Sequence, residues 1–267
     1  MKKKKQVNKH GLTRTIPAEI KRTIRQRCGF GCVICGFGFY EYEHFNPDFV
    51  DAKEHDANGM TLLCSQCNQK RAKKRLSAHT VALANATPKC KKQGFANEMF
   101  DFHHEPIEIQ FAGVTFYDCK HLIVVNGRPM LSVQPPQDAN SPVLLSGVFC
   151  DSTGQETLII DENEWSVSSD YWDIECKGHR IIVRRGSRDI VLVLRMDCPT
   201  GITIERLDMF FEGVRFKGNE KELLVCMNGV TWDHWGTVDV RHSPVGVALF
   251  HGLGDDIDPF ELLLNMK

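Results

Sequence analysis

Along the first ninety residues, apolar positions come in short sets separated by charge. Ile20 and Ile24 stand one helical turn apart in PAEIKRTIRQRC, while Lys21, Arg22, Arg25 and Arg27 spread around the rest. The pattern predicts a helix over about 17–28. Pro17 opens it, since a missing N–H costs nothing in a first turn, and Gly29 closes it. The stretch GFGCVICGFGFYEYEHF then reads as a glycine-rich knuckle running into a strand near 39–44. A polar loop, NPDFVDAKEHDANG, leads to a short second strand, MTLL, and CSQCNQKRAKKRL starts a strongly basic helix. Ser77 is placed to cap a short helix through HTVALAN, and Pro88 and Gly94 punctuate the chain beyond that helix.

From residue 106 the texture changes to short β-branched runs between turn residues. IEIQF and ITIE alternate with period two, whereas HRIIVRR, DIVLVL and PVLL are more continuous, as in buried strands. No helical pattern interrupts them before the extreme C-terminus. One echo stands out: FAGVTF at 111–116 matches FEGVRF at 211–216. Each is followed by an apolar run ending in Asn-Gly, LIVVNG and LLVCMNG. This predicts two similar hairpins that serve packing. The expected fold class is α+β, with a small ββα module at 1–76, a helical linker at 77–105 and an all-β domain, sandwich or roll-like, at 106–267.

Length and composition narrow the function. A chain of 267 residues suggests two domains, and a hydrophobic content of 42% supplies their cores. No apolar run approaches the roughly 20 residues that span a bilayer. The basic start MKKKKQVNKHGLTR has no apolar segment after it. A soluble, cytoplasmic protein without a membrane partner is expected. The formal net charge of −1 hides a split: residues 1–90 hold 17 Lys+Arg against 7 Asp+Glu, and residues 91–267 hold 16 against 27. Lys2 to Lys5 do not account for it, because the first ninety residues stay strongly basic without them. Such asymmetry points to a half that faces nucleic acid.

Eleven cysteines, an odd number scattered along the chain, do not form a disulfide framework. Cys32-Val-Ile-Cys35 and Cys64-Ser-Gln-Cys67 are instead two knuckles able to place four thiolates around a structural Zn²⁺. Cys28, four residues before Cys32, competes for a ligand position but falls at a helix end. Between the knuckles lie Glu43-His44 at the end of a strand and Asn58 in the loop; Asn68 directly follows Cys67.

In this order, on these elements, the residues resemble the zinc-ribbon branch of the HNH (ββα-metal) endonuclease family over about residues 14–76. The resemblance implies a metal-dependent endonuclease that hydrolyses DNA phosphodiester bonds with little sequence specificity, in a bacterial or phage defence or restriction role. It implies His44 as the general base that activates water, with Glu43 and Asn68 holding a catalytic Mg²⁺ or Mn²⁺. Lys70, Arg71, Lys73, Lys74 and Arg75 would grip the phosphate backbone. Two departures accompany it. The family's middle Asn sits where this chain has Gly59, so either Asn58 or His55 orients the base, and the acid before His44 is Glu where Asp is commoner.

The alternative reading is a catalytically inactive zinc module that binds nucleic acid or another protein. The β domain carries no catalytic constellation and reads as regulatory, answering a protein partner or a small-molecule signal. His10, His79, His121 and His251 read as isolated surface residues. His103-His104 lacks partners, and Trp165 and Trp172 read as packing anchors.

Overall fold

The structure, a computed structural model, describes residues 7–254, 257–264 and 266. Lys2 to Lys5 lie outside the described residues. The fold is mixed α+β, mostly strand with few helices. No helix among the described residues is long and apolar enough to cross a membrane. The chain divides into two compact units. The first comprises residues 1–98 together with Ser166–Cys176; the second comprises Met99–Trp165 and the chain from Lys177. The first unit therefore runs past residue 76, into the stretch expected to be a linker as far as Glu98, and takes in eleven residues from far downstream.

In the first unit, helix α1 (Ala18–Cys28) is followed by strands β1 (Glu41–His44) and β2 (Met60–Leu63) and by helix α2 (Ser65–Ala72). Helices α3 (Ala78–Ala86) and α4 (Lys89–Gln93) and strand β3 (Phe95–Met99) complete the run. Pro17 is extended and caps α1 from outside, and Gly29, at φ 73°, donates its N–H back to the Arg25 carbonyl. Strands β1 and β2 form an antiparallel pair with Glu43 opposite Thr61 and His44 opposite Met60. Ser77 caps α3 by accepting the Thr80 N–H at 3.0 Å. The core packs Ile24, Cys28, Val33, Phe45, Met60, Leu62, Leu63 and Val81 together.

Arg25 departs from the expected basic helix surface. Its guanidinium is buried and makes a two-pronged ion pair with Asp173, Nε to Oδ1 at 2.8 Å and Nη2 to Oδ2 at 2.7 Å. The Tyr42 hydroxyl accepts from Nη1 at 2.7 Å. A buried guanidinium needs this complete set of partners, because desolvating it alone would cost several kcal/mol. The downstream segment thus enters the first unit through a charge pair, a contact that no periodicity in the sequence reports.

The remaining strands are β4 (Glu108–Phe111), β5 (Val114–Val125), β6 (Arg128–Gln134), β7 (Leu144–Cys150), β8 (Glu156–Asp161), β9 (Glu164–Ser168) and β10 (Asp173–Lys177). Then come β11 (Arg180–Gly186), β12 (Asp189–Met196), β13 (Gly201–Phe211), β14 (Val214–Asn219), β15 (Glu222–Cys226), β16 (Asp233–Trp235) and β17 (Val238–Leu249), with a short helix α5 (Pro259–Leu264). In the second unit the order β11-β12-β13-β4-β5-β6-β7-β8 runs as one curled sheet. It branches where β14 leaves β13 and where β17 joins β5.

The sequence echo becomes two hairpins in one register. Phe111 pairs with Val114 and Ile109 with Phe116; Phe211 pairs with Val214 and Met209 with Phe216. Their first strands, β4 and β13, lie side by side in parallel. The four phenylalanines are buried. The echo stops at its Asn-Gly ends. Asn126-Gly127 turns directly between β5 and β6, whereas the Asn228 side chain accepts the N–H groups of Val230 and Thr231 in a loop. Trp165 is fully buried, as an anchor should be. His121, expected at the surface, is buried, with Nδ1 2.8 Å from the Ser132 hydroxyl, because β5 is interior along most of its length.

Candidate active site

The two knuckles converge. The ligand sulfurs of Cys32, Cys35, Cys64 and Cys67 all lie within 4.8 Å of one another, and those of Cys35 and Cys64 are 3.7 Å apart. Four thiolates around zinc at about 2.3 Å imply an S···S edge of roughly 3.8 Å, so the cluster fits a structural zinc. Each knuckle is held by backbone. Gly36 N–H donates to the Cys32 carbonyl at 2.9 Å, and Cys67 N–H to the Cys64 sulfur at 3.4 Å.

Gly31 lies where a Cβ would stand 2.7 Å from the Cys90 sulfur and 2.9 Å from the Phe37 carbonyl oxygen, so the first knuckle closes only around glycine. Burial pushes the Cys67 thiol up to about 12, while donation from Cys35 holds Cys32 down at about 5. Four sulfurs this close cannot all ionise without a cation among them. Cys28 stays outside the group, buried 3.8 Å from the Thr61 hydroxyl.

A second constellation gathers at the end of β1. His44 is 7% exposed, and its Nε2 lies 3.1 Å from Nδ1 of His55; His55 Nε2 lies 2.9 Å from the Thr13 carbonyl oxygen. The hydrogen-bond chain fixes the tautomers. A carbonyl oxygen only accepts, so His55 donates from Nε2. With that tautomer His55 accepts at Nδ1, His44 donates from Nε2, and His44 Nδ1 keeps its lone pair. Burial, the neighbouring His55 and Arg14 all lower the pKa of His44, which favours the neutral ring. The Phe49 ring packs against His44 at 5.5 Å between centroids. The Asn8 side chain fixes that loop by donating to the Phe49 and Ala52 carbonyls at 2.6 and 2.7 Å.

Glu43, directly before His44, lines a depression of about 530 Å³ with Asp48, Asn68, Arg71 and Lys74. Arg71 Nε stands 3.7 Å from Glu43 Oε1, and the same guanidinium bonds Asp48. Asn68 donates to Glu41 at 2.8 Å. Burial raises the pKa of Glu43, partly offset by Arg71. Asp48 carried no signal in the sequence beyond its place in a polar loop.

Not every expected residue joins this corner. Asn58 turns away: its N–H caps back to Asp56 at 2.9 Å, and it lines a different depression, with Arg27 and Asn85. Gly59 has a steric reason to be glycine, since a Cβ there would stand 2.1 Å from the Asn46 carbonyl oxygen. His55 occupies the partner position instead. The basic helix is also shorter than its sequence suggests. Helix α2 ends at Ala72 because Lys74 adopts φ 57°, with Arg75 N–H donating to the Lys70 carbonyl and Lys74 N–H to that of Arg71. Lys70 is on the helix, and Lys73, Lys74 and Arg75 lie just past its end; all four are exposed, whereas Arg71 is committed to the acids.

Among the described residues, the four cysteines form the only group of three or more His, Cys, Asp or Glu ligands close enough to hold a metal ion. His103, in keeping with this, bonds locally to the Glu105 carbonyl. Comparison of the chain with protein-family models, with curated proteins and with solved structures gives no match.

Proposed function

We propose that the first unit is a metal-dependent nuclease of the HNH type, hydrolysing DNA phosphodiester bonds with His44 as general base. The observation that carries this is the chain from the Thr13 carbonyl through His55 to His44. It leaves one unprotonated nitrogen on a neutral imidazole, and Glu43, the residue before it, lines a depression together with Asp48, Asn68 and Arg71. A neutral ring with a fixed tautomer takes a proton from water near neutral pH, and its partner steadies the imidazolium that forms. His55, rather than Asn58, acts as the orienting residue.

Glu43 and Asn68 offer hard oxygen donors suited to Mg²⁺ or Mn²⁺, which keep several waters and need few protein ligands. When bound there, such an ion would neutralise charge on the phosphate and its leaving oxygen. Arg71 must then yield its hold on Glu43, and a DNA phosphate is a natural second partner for its guanidinium. Lys70, Lys73, Lys74 and Arg75 would hold the backbone without reading bases. Products should carry 5′-phosphate and 3′-hydroxyl ends.

The test is single-turnover cleavage of plasmid DNA across a Mg²⁺ and Mn²⁺ titration. His44→Ala is expected to lose about 10²–10⁴-fold in rate with no rescue by metal. His55→Ala should lose less, and Asn68→Ala should recover partly as metal rises. Wild-type cleavage by a folded, zinc-replete His44→Ala protein would overturn the proposal and leave a binding module.

A further inference from the structure

The second unit contains a kink at matched positions of two neighbouring strands. Strands β5 and β17 pair in parallel from Val114 with Val238 to Val125 with Leu249. The register runs from Tyr117–Arg241 to Cys119–Ser243 and passes over Asp118 and His242. Those two residues adopt φ 53° and 52°, a left-handed conformation that L side chains rarely hold and that neither is a glycine to relieve. The paired kinks turn the two side chains toward each other, with His242 Nδ1 2.8 Å from Asp118 Oδ2. Matched strain on neighbouring strands is kept where it re-aims side chains for use.

What they are aimed at is a cavity of about 380 Å³, lined by Asp118, His242, Lys120 and a largely apolar wall. That wall includes Pro106, Pro135, Pro136 and Pro244 with Val133 and Val143. Prolines bring no backbone N–H, so the wall leaves few donors to satisfy when water is expelled. The volume is that of a small-molecule site. The polar groups favour one sign of charge. Asp118 is already engaged by His242, whereas no hydrogen bond or ion pair among the described residues takes the Lys120 ammonium or the second imidazole nitrogen.

We propose that this cavity binds a small organic anion, an apolar aromatic body with a carboxylate, phosphate or sulfonate that meets Lys120 and His242. The proposal is independent of the nuclease reading, because the site and its strain lie wholly within the second unit.

The probe is 1-anilinonaphthalene-8-sulfonate, titrated into the full-length protein by calorimetry and fluorescence, with uncharged N-phenyl-1-naphthylamine alongside. One site per chain is expected, with the sulfonate preferred. Val133→Trp, which fills the cavity, should weaken binding about tenfold or more, and Lys120→Glu, at an exposed position, by about tenfold. His242→Gly should weaken binding without lowering the melting temperature, because glycine relieves the left-handed strain. Equal binding of the two probes, several weak sites, or unchanged affinity in folded Val133→Trp and Lys120→Glu proteins would overturn the proposal. So would a His242→Gly protein that melts earlier yet binds the probe normally, since the pair would then be only structural.

Discussion

The two constellations of the first unit sit on neighbouring stretches of chain and are built on opposite plans. The cysteine cluster is complete: four like ligands converge, the backbone closes around them, and the tight positions are glycines. The corner at the end of β1 is incomplete. Its acids are held by Arg71, its amide by Glu41, and its left-handed turn is filled by Lys74. A site meant to hold a cation permanently supplies every ligand itself. The proposed catalytic corner, which would exchange water, metal and phosphate, keeps provisional partners of its own that incoming groups could replace.

The sharpest way to break this contrast is Cys64→Ser. Three thiolates leave an open position in a site that ties both knuckles together, and a unit with so small a core depends on its metal. The wild type should carry about one zinc per chain by elemental analysis. The variant should lose it and unfold the first unit at much lower temperature. Zinc-free wild-type protein with an unchanged melting profile would remove the distinction between the two sites.

Acid should separate them next. His44 has a depressed pKa in the folded protein, so the unfolded chain binds the proton more readily. The contribution of this group to stability is complete above about 6.5, the ordinary value for histidine, and falls as pH drops from there through the lowered folded value. Cleavage should keep its neutral base, and so its rate, below pH 6.5 before failing. The stability slope below about pH 6.5 should flatten in His44→Ala. An acid limb lying above 6.5 would count against the assigned base.

The smallest effect concerns Lys74. The knuckle uses Gly36 at φ 89°, but the corner places a lysine at φ 57° where glycine is the usual helix terminator. Lys74→Gly should stabilise the protein by roughly 0.5–1 kcal/mol, read as a small rise in melting temperature. DNA binding should weaken and its salt dependence should become shallower, as expected for one lost phosphate contact. Stabilisation without any loss of binding would mean that the lysine is not there for its charge.

What the sequence made legible was local. Two CxxC pairs announce their chemistry because ligand spacing is itself the geometry, and the FAGVTF and FEGVRF hairpins repeat because each is a short-range unit. What it hid was contact between distant segments. The sequence leaves Asn58 and His55 as equal candidates to orient His44, and only the fold sets His55 between His44 and Thr13. Gly59 looks like a lost asparagine until the Asn46 carbonyl is seen to occupy the space of its Cβ. Arg25 reads as surface charge because its partner lies 148 residues away. Asp118 and His242 carry no turn signature, and each kink is matched only by the other, on a strand far away in the sequence.

That long-range partner of Arg25 has a consequence in time. A ribosome releases the chain from its N-terminus, at about 5–20 residues per second. The stretch up to Glu98 therefore emerges long before Ser166–Cys176, the last piece of the same unit. For the roughly 4–16 s needed to make the intervening chain, Arg25 has no Asp173 to receive it, and its side of the unit stays open. The candidate nuclease thus reaches its final form only after most of β4 to β10 has been synthesised, so a nascent chain that stops early releases an incomplete unit.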